Sequence, residues 1–365
     1  MSARMYVWGL SLLPHLGSIT IKRLVKALGS EAAAFEATAT ELQQATGMSL
    51  ARAEAIVMAR SGMEITRDWE RLNAQRAMQL ITWLDEDYPW RLQQIADPPP
   101  VLYCQGDLTC LDAPVVAIVG RRRASPRGLG WARRLGRDLA AAGLTIISGL
   151  ALGIDTAAHT GSLQTGKTAA VLGTGLDVVY PKSNLQLAQD ISRLGALITS
   201  FPPGTPPLRG NFPARNRIIS GLSTGVIVVE AGERSGSLIT AAMALDQNRD
   251  VYAVPGDPTD SGAAGPNRLI QDGAKLIRGA QDVLDEMRLS SQLPLPMHIP
   301  SSTQDNHPMQ GILGQLFQCL SEPLHLDEIA MRTNLPIAAV NSALLRLELL
   351  GLVEQLAAGV FQRVG

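Results

Sequence analysis

The chain has 365 residues, enough for two or three domains with a sizeable core. At 46% hydrophobic and 18% charged it is too apolar for a disordered chain, and a formal charge of -1 excludes a uniformly basic nucleic-acid binder, so any such site must be local. Three cysteines (Cys104, Cys110, Cys319) without metal-ligand spacing, and no apolar run near the ~20 residues that span a bilayer, predict a soluble, reduced, cytoplasmic protein with no metal.

Residues 1 to about 80 read as helices. Leu12, Leu13, Leu16, Ile19, Leu24, Val25 and Leu28 recur at helical spacing, and Gly17 and Gly29 punctuate them. Further helical units run from Glu41 to Ala59 and from Ile65 to Leu80. The turn Leu13-Pro14-His15-Leu16-Gly17 is like the hairpin of a helix-hairpin-helix module, although His15 stands where that motif usually carries a second glycine. A small helical bundle and a DNA-contacting hairpin both fit. Residues 81–112 read as a connector rich in turns, including Tyr88-Pro89 and Pro98-Pro99-Pro100.

From 113 to about 280, apolar runs at 115–119, 144–147, 169–172, 197–199, 226–229 and 251–254 alternate with helical stretches. Such alternation predicts parallel strands with crossover helices, a doubly wound α/β sheet. In these sheets the ligand crevice lies outside the carboxyl ends of the strands. The first of the runs, Val115 to Val119, leads into Gly120 and Arg121-Arg122-Arg123, and Ser125-Pro126 then starts a helix. Between 115 and 143 there are seven arginines (121, 122, 123, 127, 133, 134, 137) and one acid, Asp138. A strand feeding a basic turn and a helix N-terminus predicts anion binding, with arginine forks suited to phosphate. A solvated face accounts for Arg133, Arg134 and Arg137.

Other segments carry weaker or competing signals. Gly161-Ser-Leu-Gln-Thr-Gly166-Lys167-Thr168 fits the phosphate-loop pattern, but a helix precedes it and a strand follows, the reverse of the required context. Gly173-Thr174-Gly175 follows a strand but lacks the third glycine of a dinucleotide fingerprint, so no nicotinamide or flavin cofactor is expected. Ser148 and Gly149 end a strand before a helix bearing Asp155 and His159, for which a helix-stabilising acid and a core histidine are the expected roles. The run Asn211-Phe212-Pro213-Ala214-Arg215-Asn216-Arg217, with Arg209 upstream, sets basic side chains beside an aromatic. That combination suits a single strand, phosphates on arginine and a base on the ring. For Arg215 and Arg217, strand contact and structural ion pairing both stand. Ser235-Gly236-Ser237 makes a second anion nest at a helix start, and Tyr180-Pro181-Lys182 adds a basic tip.

Residues 286–309, rich in proline and polar residues, read as a linker. Beyond it, Leu313–Leu320, Leu326–Thr333 and Pro336–Leu350 read as helices, followed by a hairpin from 351–354 and 360–362. This is the layout of a winged helix. Its arginines (332, 346, 363) are outnumbered by its acids (322, 327, 328, 348, 354), which favours protein docking or self-association over DNA-groove reading.

Taken in order, these segments resemble the DNA-processing protein A (DprA, also called Smf) family. The resemblance rests on Val119-Gly120-x-Arg122, on Ser148-Gly-x-Ala-x-Gly-Ile-Asp155-x-x-Ala-His159 and on Gly173-x-Gly175-x-Asp177-x-x-Tyr180-Pro181. It continues in Phe212-Pro-x-Arg215-Asn-Arg217-Ile-Ile-Ser-Gly-Leu, Ser235-Gly-Ser-Leu-x-Thr-Ala and Val254-Pro-Gly256. It implies an extended Rossmann-like fold, binding of single-stranded DNA, and delivery of the RecA recombinase in natural transformation or recombination. It also implies a homodimer through the Rossmann-like domain and no catalytic chemistry. The implied domains are a helical, helix-hairpin-helix or SAM-like domain over 1–80, the Rossmann-like domain with its connector over 81–285, and a winged helix over 310–365. The family's DNA-contacting arginine falls on Arg122, its later basic positions on Lys182 and Arg209, and its aromatic on Phe212. Together with the readings above, the expected contacts are Arg121, Arg122, Arg123, Ser148, Gly149, Gly173, Gly175, Lys182, Arg209, Phe212, Arg215, Arg217, Ser235, Gly236 and Ser237.

Two positions depart from the family pattern. Gly-Ser-Arg becomes Gly120-Arg121-Arg122, leaving open which arginine holds phosphate. The usual Ser-Glu-Pro reads Ser200-Phe201-Pro202, an aromatic in place of an acid. Two enzymatic alternatives stand beside the DNA-binding one. A phosphoribohydrolase-like enzyme would act through Glu230 or Glu233, and a nucleoside triphosphatase through Gly161–Thr168.

Overall fold

The structure, a computed structural model, describes residues 2–74, 78–292, 312–333, 335–349, 352–357 and 359–363. It divides into two units, Met1–Leu293 and Pro294–Gly365.

The first unit opens with helices α1 (Ala3–Leu12), α2 (Ser18–Leu28), α3 (Glu31–Glu36), α4 (Ala39–Thr46), α5 (Leu50–Ser61) and α6 (Ile65–Asn73). Leu10, Ile21, Leu24, Leu42 and Ile56 form their shared core. Thr38 and Glu41 make a reciprocal capping box that starts α4. His15 adopts φ 62°, the left-handed conformation that favours glycine, at the hairpin position where glycine is usual.

Nine strands follow: β1 (Gln79–Thr82), β2 (Val101–Gly106), β3 (Val115–Val119), β4 (Thr145–Ser148), β5 (Thr168–Val171), β6 (Ala196–Thr199), β7 (Gly225–Val228), β8 (Asp250–Ala253) and β9 (Lys275–Leu276). Their order in the sheet is β1-β2-β6-β5-β4-β3-β7-β8-β9. The β1–β2 and β2–β6 pairs are antiparallel and the rest parallel. The stretch expected to be a plain connector therefore supplies two strands that extend the sheet, and β1 also takes the end of the last expected helical unit. Helices α7 (Trp90–Gln93), α8 (Pro126–Ala141), α9 (Ile154–Ser162), α10 (Leu185–Leu194), α11 (Asn211–Leu222), α12 (Gly236–Asp246), α13 (Ala264–Gln271) and α14 (Ala280–Gln292) complete the unit. Helix α14 runs through the first part of the expected linker, and the remainder, 293–309, lies outside the described residues.

Successive side chains of β3 point to opposite faces, which sorts the core into two layers. Val115, Ala117 and Val119 pack with Ile218, Ile219 and Leu222 of α11. Val116 and Ile118 pack with Leu135 and Leu139 of α8 and Ala158 of α9. The chain runs from β3 outward to β6 and then returns to the other side of β3 as β7. Strand order reverses there, and such a switch point opens a crevice at the carboxyl ends of the strands.

The phosphate-loop pattern is a helix-to-strand turn, since α9 ends at Ser162 and β5 begins at Thr168. Lys167 pairs with Asp107 at 2.9 Å, and Thr168 donates to the Ile146 carbonyl at 2.7 Å. No described helix is long and apolar enough to cross a membrane.

The second unit holds α15 (Ile312–Cys319), β10 (Leu324–His325), α16 (Leu326–Thr333), α17 (Ile337–Leu349), β11 (Val353–Ala357) and β12 (Val360–Arg363). Its strands pair in the order β10-β12-β11. Leu316, Leu320, Ile329, Val340, Leu344 and Phe361 form its core. Three helices and a terminal hairpin are the layout expected from sequence.

Candidate nucleic-acid interface

The loop after β3 is fixed by its backbone. Arg121 N–H donates to the Glu230 carbonyl at 2.7 Å, and the Arg121 carbonyl accepts from Ile154 N–H at 3.4 Å. Gly120 has no room for a Cβ, which would stand 2.5 Å from Ile154 and 2.9 Å from the Glu230 carbonyl. With the backbone held, the Arg122 and Arg123 side chains are exposed and Arg121 is half-buried. Helix α8 then starts with Ser125 as N-cap, accepting from Gly128 N–H at 3.0 Å, and with Pro126 in its first turn.

That helix start is already occupied. The Glu230 carboxylate accepts the Ser125 N–H at 2.9 Å and the Ser125 hydroxyl, and a Cβ on Gly128 would collide with it. The sequence expectation of free N–H groups awaiting a ligand at this terminus is corrected, because an internal carboxylate serves the helix dipole. The exposed cationic groups of this loop are the side chains of Arg122 and Arg123.

The end of β4 is likewise internal. The Ser148 hydroxyl donates to the Ile118 carbonyl at 2.6 Å and is fully buried. Asp155 accepts from Gly149 N–H at 3.1 Å and Ala151 N–H at 3.3 Å. Arg215 is buried, donates to the Val171 carbonyl at 2.7 Å, and lies so close over Gly149 that a Cβ there would be 1.6 Å from it. Burial raises the Asp155 carboxyl while the Arg215 charge opposes the rise. Burial also pushes the Arg215 guanidinium down to about 10, against the Asp155 charge and helped by Arg122. His159 bonds Thr168 Oγ1 through Nδ1 at 2.7 Å, and burial, then the Arg215 charge, drives it down to about 3. Ser148 and Gly149 are therefore internal supports rather than surface contacts, and Arg215, equally buried, adds to that support while forming part of the cleft lining. Arg217 is half-buried and is bonded to both the carbonyl and the carboxylate of Asp97.

What the fold does assemble is an aromatic and cationic cluster over the crevice. The Arg122 guanidinium lies 5.3 Å from the Phe212 ring centroid, and the Tyr180 ring lies 6.0 Å from the same ring, tilted at 47°. Gly173 allows this approach, since a Cβ there would stand 3.0 Å from Phe212. Asn211 fixes the start of α11 by donating to the Gly173 carbonyl at 3.1 Å. Gly175 donates to the Thr205 carbonyl at 3.0 Å, tying its turn to the loop that carries Arg209. The Tyr180–Pro181 bond is cis. Lys182 and Arg209 are exposed and have no ion-pair partner among the described residues. Phe201 is half-buried, its N–H held by Thr199 Oγ1 at 3.1 Å.

Arg122, Phe212 and the start of α12 line one cleft of about 380 Å³. Ser235 caps α12, accepting from Ser237 N–H at 3.4 Å, and its hydroxyl lies 2.8 Å from that of Ser237. Gly236 is exposed with open space around it. The cleft thus combines a guanidinium, a ring and a helix start, a set able to take phosphate and a stacked base together. Two members were absent from the sequence-derived set. Tyr180 is signalled by an aromatic beside proline and Lys182. Glu230, which shapes the loop from inside, has no local sequence signal, since its partner Ser125 is 105 residues away.

Residues 79–288 match the family described as DNA recombination-mediator protein A, and residues 300–359 match the DprA winged helix domain. Protein Smf of Synechocystis is 36% identical over 99% of both chains. DNA processing protein DprA of Streptococcus pneumoniae is 50% identical over 56% of this chain and 72% of that protein. The X-ray structure of a Streptococcus pneumoniae DprA superposes with a TM-score of 0.66 and 39% identity, covering 78% of this chain and 98% of that one. A Helicobacter pylori DNA processing protein A, described for its single-stranded DNA binding mode, superposes with a TM-score of 0.54 and 32% identity, covering 60% of this chain and 98% of that one. With such matches across both units, the chain belongs to the DNA recombination-mediator protein A family, the DprA/Smf proteins.

Proposed function

We propose that this protein binds single-stranded DNA at the carboxyl edge of its sheet and loads RecA onto it during natural transformation or recombination. The observation that carries the reading is the Arg122–Phe212–Tyr180 cluster beside the α12 N-terminus, with unpaired Lys182 and Arg209 nearby. Phosphates would pair with Arg122, Lys182, Arg209 and the Ser235–Ser237 nest while a base stacks on Phe212. Gly173 and Gly175 serve by letting the ring and loop approach, and Arg121 and Arg123 flank the principal arginine. The single-strand mode described for the Helicobacter relative supports the ligand class. RecA delivery, a homodimer through the Rossmann-like domain and a cytoplasmic setting complete the proposal by family membership.

The role is non-catalytic. Of the two carboxylates that a phosphoribohydrolase would use, Glu230 is committed to Ser125, which leaves that reading to the exposed Glu233 alone. A gel-shift comparison of single- and double-stranded DNA, with and without RecA, tests the whole proposal. Tighter single-strand binding and a RecA-containing complex are expected. Equal affinity for both DNA forms would overturn the ligand assignment, and no RecA supershift would overturn the loading role.

A further inference from the structure

The arginines of α8 are not used by the cleft. At about 3.6 residues per turn, Arg127, Arg133, Arg134 and Arg137 fall within an arc of roughly 120°, with Gly130 near its middle. All four are exposed. The other side of the helix, including Ala132, Leu135 and Leu139, is buried in the core, so the arginine face looks outward. Among the described residues, no atom outside the helix stands within 4 Å of a Cβ placed on Gly130. Trp131, half-buried, borders it with the Arg134 guanidinium 6.0 Å from its ring.

The acids near this face do not neutralise it. Asp138 is shared between Arg134 at 3.5 Å and Arg137 at 2.8 Å. Asp257 feels the charge of Arg127 but is held mainly by Thr259. Arg133 has no acidic partner among the described residues. Helix α8 begins at Pro126, directly after the exposed Arg122 and Arg123, so its outer face continues from the mouth of the cleft. Arg127 to Arg137 covers about 15 Å along the axis at 1.5 Å per residue. An arginine face with a bordering ring, continuous with a phosphate-binding cleft, matches the way single strands are tracked by charge and stacking.

We infer that the outer face of α8 is a second track for single-stranded DNA, holding the strand as it leaves the cleft past Arg122 and Arg123. The inference rests on the single-strand reading of the cleft. The test uses the full chain and two oligothymidylates, one of about six nucleotides that fills the cleft alone and one of about thirty. The variant Arg127→Ala/Arg133→Ala/Arg134→Ala/Arg137→Ala is expected to bind the short oligonucleotide within about twofold of wild type and the long one at least about tenfold more weakly. Its log–log salt slope on the long strand should fall by about three, at about 0.7 for each of four phosphates lost. Replacing the same four by lysine should restore most of the slope, and Arg127→Ala/Arg134→Ala alone should show about half the loss if the fourfold variant fails to fold. Unchanged affinity and slope on the long strand would overturn the track and leave the face to an acidic protein. A Phe212→Ala variant separates the two readings. If it leaves short-strand binding intact while the α8 variant weakens long-strand binding, the cleft assignment fails and the track stands.

Discussion

The Arg122 guanidinium rests 5.3 Å from the Phe212 ring, so the cation and the ring that would take adjacent phosphate and base touch each other across the crevice. Their elements follow different strands, β3 and β6, and meet only because the chain returns to β3 at the switch point. Removing the ring should cost one base stack. Phe212→Ala is expected to weaken single-strand binding by about 1–3 kcal/mol, while Phe212→Trp keeps it. Fluorescence anisotropy with a labelled oligothymidylate reads both.

Arg215 offers the opposite outcome. Its buried charge faces Asp155, and removing it strands that carboxylate in the core. Arg215→Ala, which also removes the hydrogen bond to the Val171 carbonyl, should destabilise the first unit by about 1.5–3 kcal/mol. Gly149→Ala should also destabilise it, because the new Cβ would lie 1.6 Å from the guanidinium. Urea titrations followed by circular dichroism check both. An Arg215→Ala protein with wild-type stability and selectively lost DNA binding would restore this residue as a surface contact.

This contrast marks how far the sequence reaches. The strands from β3 to β8 lie within one residue of the apolar runs, because strands buried on both faces read as continuous hydrophobic segments. β1 and β2 escape notice because turns and prolines bound them and both pair antiparallel, β2 with β1 and with β6 about 90 residues on. The site is legible in the same measure. Arginines beside an aromatic announce themselves, and Arg122 and Phe212 line the crevice together. Ser148, Gly149 and Arg215 carry the same residue types for another reason. Asp155 takes the free amides that an external anion would have used, and only the folded geometry reveals that.

His159 should make the fold acid-sensitive. Its folded value, driven down to about 3 by burial, lies below its unfolded one, so the unfolded chain binds the extra proton. Stability from this group is complete above about pH 6.5 and declines as pH falls toward 3, by up to about 1.4 kcal/mol per pH unit. Comparing urea midpoints from pH 7 to 4 for wild type and His159→Gln isolates the contribution. The variant should show the shallower decline; parallel curves would mean that the imidazole does not titrate on unfolding.

Glu230 should prove structural. Glu230→Ala removes the acceptor for both the N–H and the hydroxyl of Ser125, and should cost about 1–2 kcal/mol of stability. Neither wild type nor variant should release free base from nucleoside monophosphates in a chromatographic assay. Base release by wild type that is lost in Glu230→Ala would favour the hydrolase.

Lys167 should be as quiet as its setting suggests. Its half-exposed pair with Asp107 is worth about 0.2–1 kcal/mol, so Lys167→Ala should barely move the thermal midpoint. A coupled phosphate-release assay should find no ATP turnover that depends on this residue.

In the proposed interface, Arg122 holds a DNA phosphate at the mouth of the cleft. The most direct measurement is the affinity and salt slope of Arg122→Ala for a single-stranded oligonucleotide, beside wild type in the same buffers. A loss of about 1.5–3 kcal/mol, with the slope reduced by about 0.7, is predicted. Unchanged affinity and an unchanged slope would contradict it.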